Sequence, residues 1–158
     1  MESHCRHEDG GHPGIGGVDL TDALSLAEHR CTGAQERLTP PRRRVLELLL
    51  AADGPQKAYD LIAAYGDQGQ PAKPPTVYRA LEFLERLGLA HRIESLNAYV
   101  PCRRDDQGHR AAFLICDCCG AAQEFEPDLS ASIAAAAPAG YLVRAATLEA
   151  RGLCLACQ

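Results

Sequence analysis

Apolar residues recur at helical spacing through the first half of the chain. Asp19 is suited to cap a first helix, one face of which carries Leu20, Leu24, Ala27 and Cys31. Cys31 is therefore predicted to be a small buried hydrophobe. Thr39 followed by Pro40 predicts the start of a second helix, which ends at Asp53 and Gly54.

Further helices and a β-hairpin are predicted before residue 103. A short helix from Lys57 to Tyr65 is followed by a loop rich in proline and glycine, and the next helix covers residues 74–88. That helix ends at Gly88, and its core-facing side is formed by Val77, Leu81 and Leu84. Two extended runs, residues 89–94 and 98–102, complete the pattern. Helices followed by a hairpin are typical of a winged helix-turn-helix.

The pattern changes after the polar, turn-prone residues 103–108. Strands are predicted at residues 112–116 and 121–125, an alanine-rich helix at about 128–137 and an extended run at 141–149. A β-α-β unit of about fifty residues buries little surface. Its stability therefore requires a metal, a partner subunit or both.

These patterns predict an α+β protein with successive segments. A flexible, glycine-rich tail covers residues 1–17, and a winged helix-turn-helix DNA-binding domain covers residues 18–102. A hinge linker at residues 103–108 leads to a small α/β domain at residues 109–158.

Composition narrows the class of protein. Hydrophobic residues make up 46% of the 158 residues and charged residues 23%, as in globular soluble proteins. No apolar run approaches the ~18 residues of a membrane span, and the first residues lack the pattern of a secretory signal. We therefore expect a cytoplasmic protein without a membrane partner. In that reducing compartment, cysteines are expected to be metal ligands, buried hydrophobes or reactive thiols rather than disulfides.

The net charge of −5 is unevenly distributed. Residues 37–104 carry a net charge of +4, whereas residues 1–36 carry −5 and residues 105–158 carry −4. A basic segment between acidic ones suggests contact with a polyanion such as nucleic acid. On charge alone, a chance distribution over a solvated surface would look the same.

Two C-x-x-C pairs, Cys116 with Cys119 and Cys154 with Cys157, predict a structural zinc site. Each pair offers two thiolates about one turn apart, and a tetrahedral Zn²⁺ ion joins segments that are distant in sequence. A redox pair or an iron–sulfur site is the competing interpretation. Cys118 could replace a cysteine of the first pair, but it would break the two-residue spacing.

A second set of ligand-type residues lies around the hairpin and the linker. If the hairpin turns at residues 96–97, His91 lies directly opposite Cys102, with Cβ atoms ~4.5 to 5.5 Å apart. A slip of one residue would separate the two side chains. His109 and Glu124 follow the linker. Because Zn²⁺ accepts sulfur, nitrogen and oxygen donors together, these four residues are a candidate second zinc site, although a single histidine is more often a surface residue.

The segment KPPTVYRAL at residues 73–81, the hairpin sequence AYVPC and both cysteine pairs resemble the ferric uptake regulator (Fur) superfamily. Within it, they are most similar to the zinc uptake regulator (Zur) branch. The resemblance implies a homodimeric, zinc-responsive transcriptional repressor. With zinc bound, such a protein occupies double-stranded operator DNA of zinc-uptake genes.

The resemblance also implies roles for the candidate ligands. It implies that residues 109–158 form a dimerisation domain and that each subunit binds two Zn²⁺ ions. The structural ion would be held by Cys116, Cys119, Cys154 and Cys157. The regulatory ion would be held by His91, Cys102, His109 and Glu124.

Departures from the family pattern bear on the choice of metal. Iron-sensing members carry an H-H-x-H run before the first cysteine pair, where this chain has Arg110, Ala111 and Phe113. The soft thiolate of Cys102 also favours zinc over Fe²⁺. An iron, nickel or peroxide sensor of the same family is the alternative. A zinc enzyme is less well supported, since the H-x-E and P-C-x-x-C signatures of nucleobase deaminases are missing, so no catalytic residue is predicted.

The predicted recognition helix, residues 74–88, supplies the candidate DNA contacts. Arg79 is suited to donate to guanine O6 and N7, with Tyr78 beside it. Side chains better suited to phosphate are Tyr59, Lys73, Thr76 and the arginines at residues 42–44. Without the resemblance, Tyr59 could equally be a packed helix residue.

Overall fold

In a computed structural model of the protein, the described residues are 19–66, 73–102, 111–143 and 146–158. They form two compact units. The first two ranges make up the winged-helix unit, and the last two make up the C-terminal unit. The predicted tail at residues 1–17, the linker at residues 103–108 and His109 lie outside the described residues. No helix in the described part of the chain is long and apolar enough to cross a membrane.

The winged-helix unit consists of helices and a three-stranded sheet. In chain order its elements are α1 (Leu20–Gly33), α2 (Pro40–Ala51), β1 (Gln56–Lys57), α3 (Ala58–Gly66), α4 (Pro74–Arg86), β2 (Ala90–Ile93) and β3 (Ala98–Pro101). The sheet has the order β1-β3-β2, and its pairings are antiparallel. The sequence pattern did not reveal β1, and the helix predicted to begin at Lys57 begins one residue later.

Local chemistry explains where the helices begin and end. The Asp19 carboxylate accepts a hydrogen bond of 2.7 Å from the backbone N–H of Thr21, which caps α1 as predicted. Prolines stand at the first positions of α2 and α4, where a missing N–H costs nothing. Gly88 follows α4 with a φ of +65°, a conformation that glycine adopts without strain.

One apolar core holds the winged-helix unit together. Val77 and Leu84 are 0% exposed and Leu81 is 1% exposed, so the predicted core face of α4 is confirmed. Cys31 is buried in the same cluster, and burial raises the pKa of its thiol. The one charged residue buried among those described, Arg30, donates a 2.7 Å hydrogen bond from Nη1 to the Gly88 carbonyl. Helix α1 therefore braces the turn that follows α4.

The register of the hairpin differs from the predicted one. His91 lies opposite Val100 rather than Cys102, because the loop is one 3₁₀ turn, Glu94–Leu96, closed by Asn97 with a φ of +47°. This four-residue loop shifts the pairing by two positions. Since side chains alternate between faces, a shift of two keeps His91 and Cys102 on the same face.

The C-terminal unit is built on a second three-stranded sheet. Its elements are β4 (Ala112–Cys116), β5 (Ala122–Phe125), α5 (Ser130–Ala136) and β6 (Leu148–Gly152). Central strand β4 pairs antiparallel with β5 and parallel with β6. The predicted β-α-β order is confirmed, and the helix is shorter than predicted because it changes to a 3₁₀ turn at Ala137.

The position of the last strand was predicted wrongly. The extended run expected at residues 141–149 overlaps β6 only at Leu148 and Glu149. Parallel pairing with β4 fixes β6, from Ala112 opposite Leu148 to Cys116 opposite Gly152. The strand is therefore located by its partner rather than by its own alternation.

Candidate metal centres and DNA-binding face

Strands β4 and β6 bring the two cysteine pairs together. Their parallel pairing ends with Cys116 opposite Gly152, so the residues that follow each strand leave the sheet side by side. The sulfur atoms of Cys116, Cys119, Cys154 and Cys157 all lie within 4.8 Å of one another. The Sγ atoms of Cys119 and Cys154 are 3.8 Å apart. A tetrahedron with zinc–sulfur bonds of about 2.3 Å has edges of about 3.8 Å, so this cluster fits Zn²⁺.

Backbone groups shape the first of these cysteine turns. Gly120 follows Cys119 with a φ of +73°, and its N–H donates a 3.0 Å hydrogen bond to the Cys116 carbonyl. Glycine therefore allows the tight turn that the sequence indicated. The cluster contains Cys116 and Cys119 rather than Cys118, as the spacing predicted.

The thiols of the cluster ionise at different pH values. Backbone N–H groups near Cys119 and at Cys154, the latter 3.3 Å from the sulfur, lower the pKa of Cys116 to about 6. Burial and the neighbouring thiols raise the pKa of Cys157 to about 12. At neutral pH, one sulfur is ready to bind a cation, whereas another keeps its proton until a metal replaces it.

The hairpin holds two residues of the predicted second site. His91 lies on β2 and Cys102 follows β3, and their ligand atoms are within 4.8 Å of each other. The Cys102 N–H donates a 2.9 Å hydrogen bond to the Leu89 carbonyl, which extends the hairpin ladder and fixes the backbone of Cys102. An imidazole and a thiolate at this separation suit Zn²⁺.

The other predicted ligands belong to the second half of the chain. Glu124 is half-buried on β5, opposite Phe113 of β4. His109 and the adjacent Arg110 are outside the described residues. The pairing of Glu124 and His109 with the hairpin residues therefore stays a prediction.

The outer face of α4 carries the predicted DNA contacts. Arg79 and Tyr78 are exposed, and Thr76 at the first turn is half-buried. Lys73 is the exposed residue just before the helix. Tyr59 on α3 is 79% exposed, so it is not the packed residue that its helical position also allowed. These side chains are available to a polyanion without unfolding any part of the unit.

The chain is similar to proteins of known role. Residues 33–150 match the ferric uptake regulator family. The zinc uptake regulation protein of Escherichia coli (strain K12) is 44% identical over 139 residues, which cover 86% of this chain and 81% of that protein. The chain belongs to the ferric uptake regulator family.

Solved structures of Fur-family proteins agree with this assignment. A zinc uptake regulator in complex with zinc and DNA is 43% identical, with a TM-score of 0.83 over 89% of this chain and 95% of that one. The holo form of XcZur is 40% identical, with a TM-score of 0.79 over 87% of this chain and 97% of that one. The α+β fold expected from the resemblance is thus confirmed.

The three arginines at residues 42–44, which are candidates for phosphate contact, also contact groups within the protein. Arg43 contacts Glu28 at 2.6 Å and Glu47 at 3.0 Å. Arg42 lies 3.5 Å from the centre of the Phe83 ring and donates to the Arg37 carbonyl, and Arg44 approaches Glu47. Arg42 and Arg43 thus join α2 to neighbouring segments, whereas the Arg44 contact stays within α2. These contacts compete with phosphate for the guanidinium groups.

One ion pair beside the cysteine cluster was not predicted from the sequence. Asp117 and Arg151 form an ion pair, with Arg151 Nε 2.7 Å from Asp117 Oδ1. The available signal was an acidic residue inside the first cysteine pair and a basic residue shortly before the second. Only the pairing of β4 with β6 shows that the two residues meet.

Proposed function

We propose that this chain is a zinc-responsive DNA-binding transcriptional repressor. As a homodimer with zinc bound, it occupies double-stranded operators of zinc-uptake genes. The observation that carries this proposal is the close match to a zinc uptake regulator bound to zinc and DNA, with a TM-score of 0.83 at 43% identity. The ligand residues required for zinc are present in this chain.

We propose two zinc ions per subunit with different roles. The first is structural and is bound by Cys116, Cys119, Cys154 and Cys157, whose sulfur atoms already converge. Thiolate binding supplies folding free energy to a unit in which few of the described side chains are buried. Loss of this ion should therefore cost the unit its fold rather than adjust its activity.

The second ion is the regulatory one, and its binding raises the affinity for DNA. Its proposed ligands are His91 and Cys102 on the hairpin and His109 and Glu124 beyond the linker. Ligands from both sides of residues 103–108 can share one ion only at a restricted angle between the two domains. Zinc would thereby lower the cost of ordering the linker when DNA binds. By linkage, DNA must raise the affinity for zinc by the same factor.

DNA recognition is assigned to α4. A dimer reads two half-sites about one helical turn apart, ~34 to 36 Å, with a recognition helix in each major groove. Arg79 is assigned to guanine, with Tyr78 beside it, whereas Tyr59, Lys73 and Thr76 are assigned to the phosphate backbone. The exposure of Tyr59, Tyr78 and Arg79 leaves these side chains accessible to DNA.

The surface of the C-terminal unit supports dimerisation. Leu142 is 83% exposed and Leu155 is 89% exposed, and Tyr141, Leu114 and Leu153 are also exposed. A concentration of exposed large apolar side chains on so small a unit marks a protein interface. A second copy of this unit is the proposed partner.

A repressor fits this chain better than the alternatives. Cys102 beside His91 offers a soft donor, which favours zinc over the iron of other family members. An enzyme is less well supported, since the four thiolates of the cysteine cluster would fill the coordination of a Zn²⁺ ion and leave no open position there for a substrate. As a DNA-binding regulator, the protein would act in the cytoplasm.

The experiment separates the two proposed zinc roles. Cys102→Ser and His91→Ala proteins are titrated with zinc and with operator DNA, and zinc content and oligomeric state are measured beside the parent chain. We expect folded dimers that keep the four-cysteine zinc but no longer bind DNA in response to zinc. A variant that still binds operator tightly and responds to zinc would overturn the sensing role.

A matched control uses Cys31, which belongs to neither of the proposed metal sites. Cys31→Ala alters a thiol in the same unit, but Cys31 is packed in the apolar core. It should lower stability without changing zinc-dependent DNA binding. If Cys31→Ala and Cys102→Ser had the same effect on zinc response, the loss would reflect stability rather than ligation.

A further inference from the structure

The two cysteine turns, residues 116–119 and 154–157, are joined at their base by one ion pair. Arg151, three residues before Cys154, reaches Asp117 inside the first turn. Its Nε lies 2.7 Å and its Nη2 lies 2.6 Å from the same oxygen, Asp117 Oδ1. We propose that Asp117 and Arg151 are positioning residues for the structural zinc, which hold the two turns at the separation that the metal needs and slow its release.

Backbone contacts place this ion pair at the point where the strands end. The Asp117 N–H donates a 2.7 Å hydrogen bond to the Gly152 carbonyl, directly after the last pair of β4 with β6. Two residues further on, the Cys154 N–H lies 3.3 Å from the Cys116 sulfur. The Arg151–Asp117 pair therefore joins the two cysteine turns where they leave the strands, and the four sulfur atoms join them further on.

Assembling the four-cysteine site costs free energy in the state without metal. A stretch of 34 residues separates the two cysteine pairs, so bringing them together has an entropic cost that must be met before or during metal binding. Contacts that hold the turns in place beforehand remove part of that cost from the binding step. Outer residues that orient metal ligands commonly change metal affinity by about 10- to 100-fold.

Exposure limits the size of the effect. The side chains of Asp117 and Arg151 are 46% and 52% exposed, and exposed ion pairs contribute little when isolated. Here, two donors converge on one oxygen and an adjacent backbone hydrogen bond limits the motion of Asp117. We therefore expect removal of either side chain to speed zinc release by about five- to tenfold.

A direct attraction between Arg151 and the thiolates is the competing explanation. The two explanations differ in what they predict for Asp117. If Arg151 acts through Asp117, then Asp117→Asn weakens zinc retention as much as Arg151→Met does. If Arg151 acts directly on the sulfur charges, then removing the competing carboxylate leaves zinc retention unchanged or stronger.

The test measures zinc release from the full-length holoprotein to a chromophoric chelator. This inference rests on the proposed four-cysteine zinc site, so Cys116→Ser first identifies the release phase that belongs to this site. We then expect Asp117→Asn, Arg151→Met and the double variant to speed that phase by the same factor, whereas Arg151→Lys restores part of the retention. The Co²⁺-loaded proteins should keep the thiolate charge-transfer band of a four-sulfur site, because the ligands themselves are unchanged.

The outcomes distinguish this inference from the proposed function. If Cys116→Ser leaves zinc content unchanged, the zinc site itself is wrong. If Cys116→Ser removes the phase but Arg151→Met does not speed it, or if Asp117→Asn slows it, the positioning role is wrong and the zinc site stands. Arg86→Met removes an arginine that pairs with Glu36 at 3.0 Å in the winged-helix unit. Arg86→Met should leave the rate of this release phase unchanged. If it sped release as much as Arg151→Met does, the effect would come from the change in net charge.

Discussion

The winged-helix unit and the C-terminal unit obtain their stability differently. In the first, side chains from four helices and the hairpin form one core that includes Leu49, Val77 and Leu84, each 0% exposed. In the second, the buried hydrophobic residues described are five, namely Ala112, Phe113, Ile115, Cys116 and Ala122. Both units carry a three-stranded sheet, so the contrast lies in packing rather than in strand number.

This contrast agrees with the different roles proposed for the two zinc ions. A unit with its own core can bind a regulatory ion on its surface and stay folded when the ion leaves, as the proposed sensor requires. A unit with few buried side chains needs an ion that stays bound. Zinc can therefore act as a signal at the proposed site that includes His91 and Cys102, and as a structural component at the four cysteines.

Removal of the structural zinc should produce the largest difference in stability between the two units. Cys116→Ser is expected to remove the ion and, with it, folding free energy on the order of 10 kcal/mol from the C-terminal unit. Hydrogen exchange should then lose protection at residues 112–125 and keep it at residues 77–84. Cys118→Ser, studied in reducing buffer, is the control that should be nearly silent, and a zinc-containing, protected Cys116→Ser dimer would contradict the contrast.

A substitution in the apolar core should destabilise the winged-helix unit and leave the C-terminal unit unchanged. Leu84→Ala leaves a cavity in the winged-helix core and should lower the free energy of unfolding of that unit by about 3 kcal/mol. Zinc bound to the four cysteines should be unaffected. Leu20→Ala, on a leucine that is 45% exposed on α1, should change stability by less than about 0.5 kcal/mol. Denaturant unfolding with zinc analysis measures both quantities, and zinc loss in Leu84→Ala would show that the units depend on each other.

An exposed substitution should change binding without affecting either unit's stability. Arg79→Ala should weaken operator binding by ~1 to 3 kcal/mol and binding to random DNA far less, because a guanine contact is specific to sequence. Fluorescence anisotropy at fixed salt with both DNA duplexes measures the difference. Lys73→Ala is the comparison, since loss of a phosphate contact should weaken both complexes alike. Equal losses of affinity for both duplexes in Arg79→Ala would show that Arg79 contacts the phosphate backbone and not guanine.

The smallest expected effect is a pH dependence within the winged-helix unit. Burial raises the pKa of Glu85 above its ordinary value of 4.5, so ionised Glu85 destabilises the folded state. The contribution of Glu85 to the free energy of unfolding is fully present below pH 4.5, where the carboxyl is protonated. It is lost as the pH rises through the pKa of Glu85 in the folded state.

The test compares Glu85→Gln with the parent chain. Glu85→Gln should therefore be slightly more stable than the parent at pH 7, and the gain should vanish below pH 4.5. Urea unfolding across this pH range measures it, with exposed Glu82→Gln as the control. The gain should survive chelation, since the core of this unit needs no metal; a gain confined to the zinc-loaded protein would contradict that independence.

The sequence by itself determined the parts of the molecule that depend on local chemistry. Helical spacing placed Val77, Leu81 and Leu84 in the core, because an apolar face at that period can be buried on only one side of a helix. The cap residue Asp19 located the start of α1, and Thr39 followed by Pro40 located the start of α2. The two-residue spacing of the cysteine pairs selected the four sulfur atoms that converge, since metal chemistry fixes that spacing.

Tertiary structure decided what depends on a distant partner. Strand β1 is two residues long and exists because it pairs with β3, and β6 is placed by β4 rather than by its own pattern. The hairpin register follows from the conformation of Asn97, which residue type alone does not fix. Asp117 and Arg151 are far apart in sequence and meet only where two strands end, because side-chain contacts across a sheet are set by register.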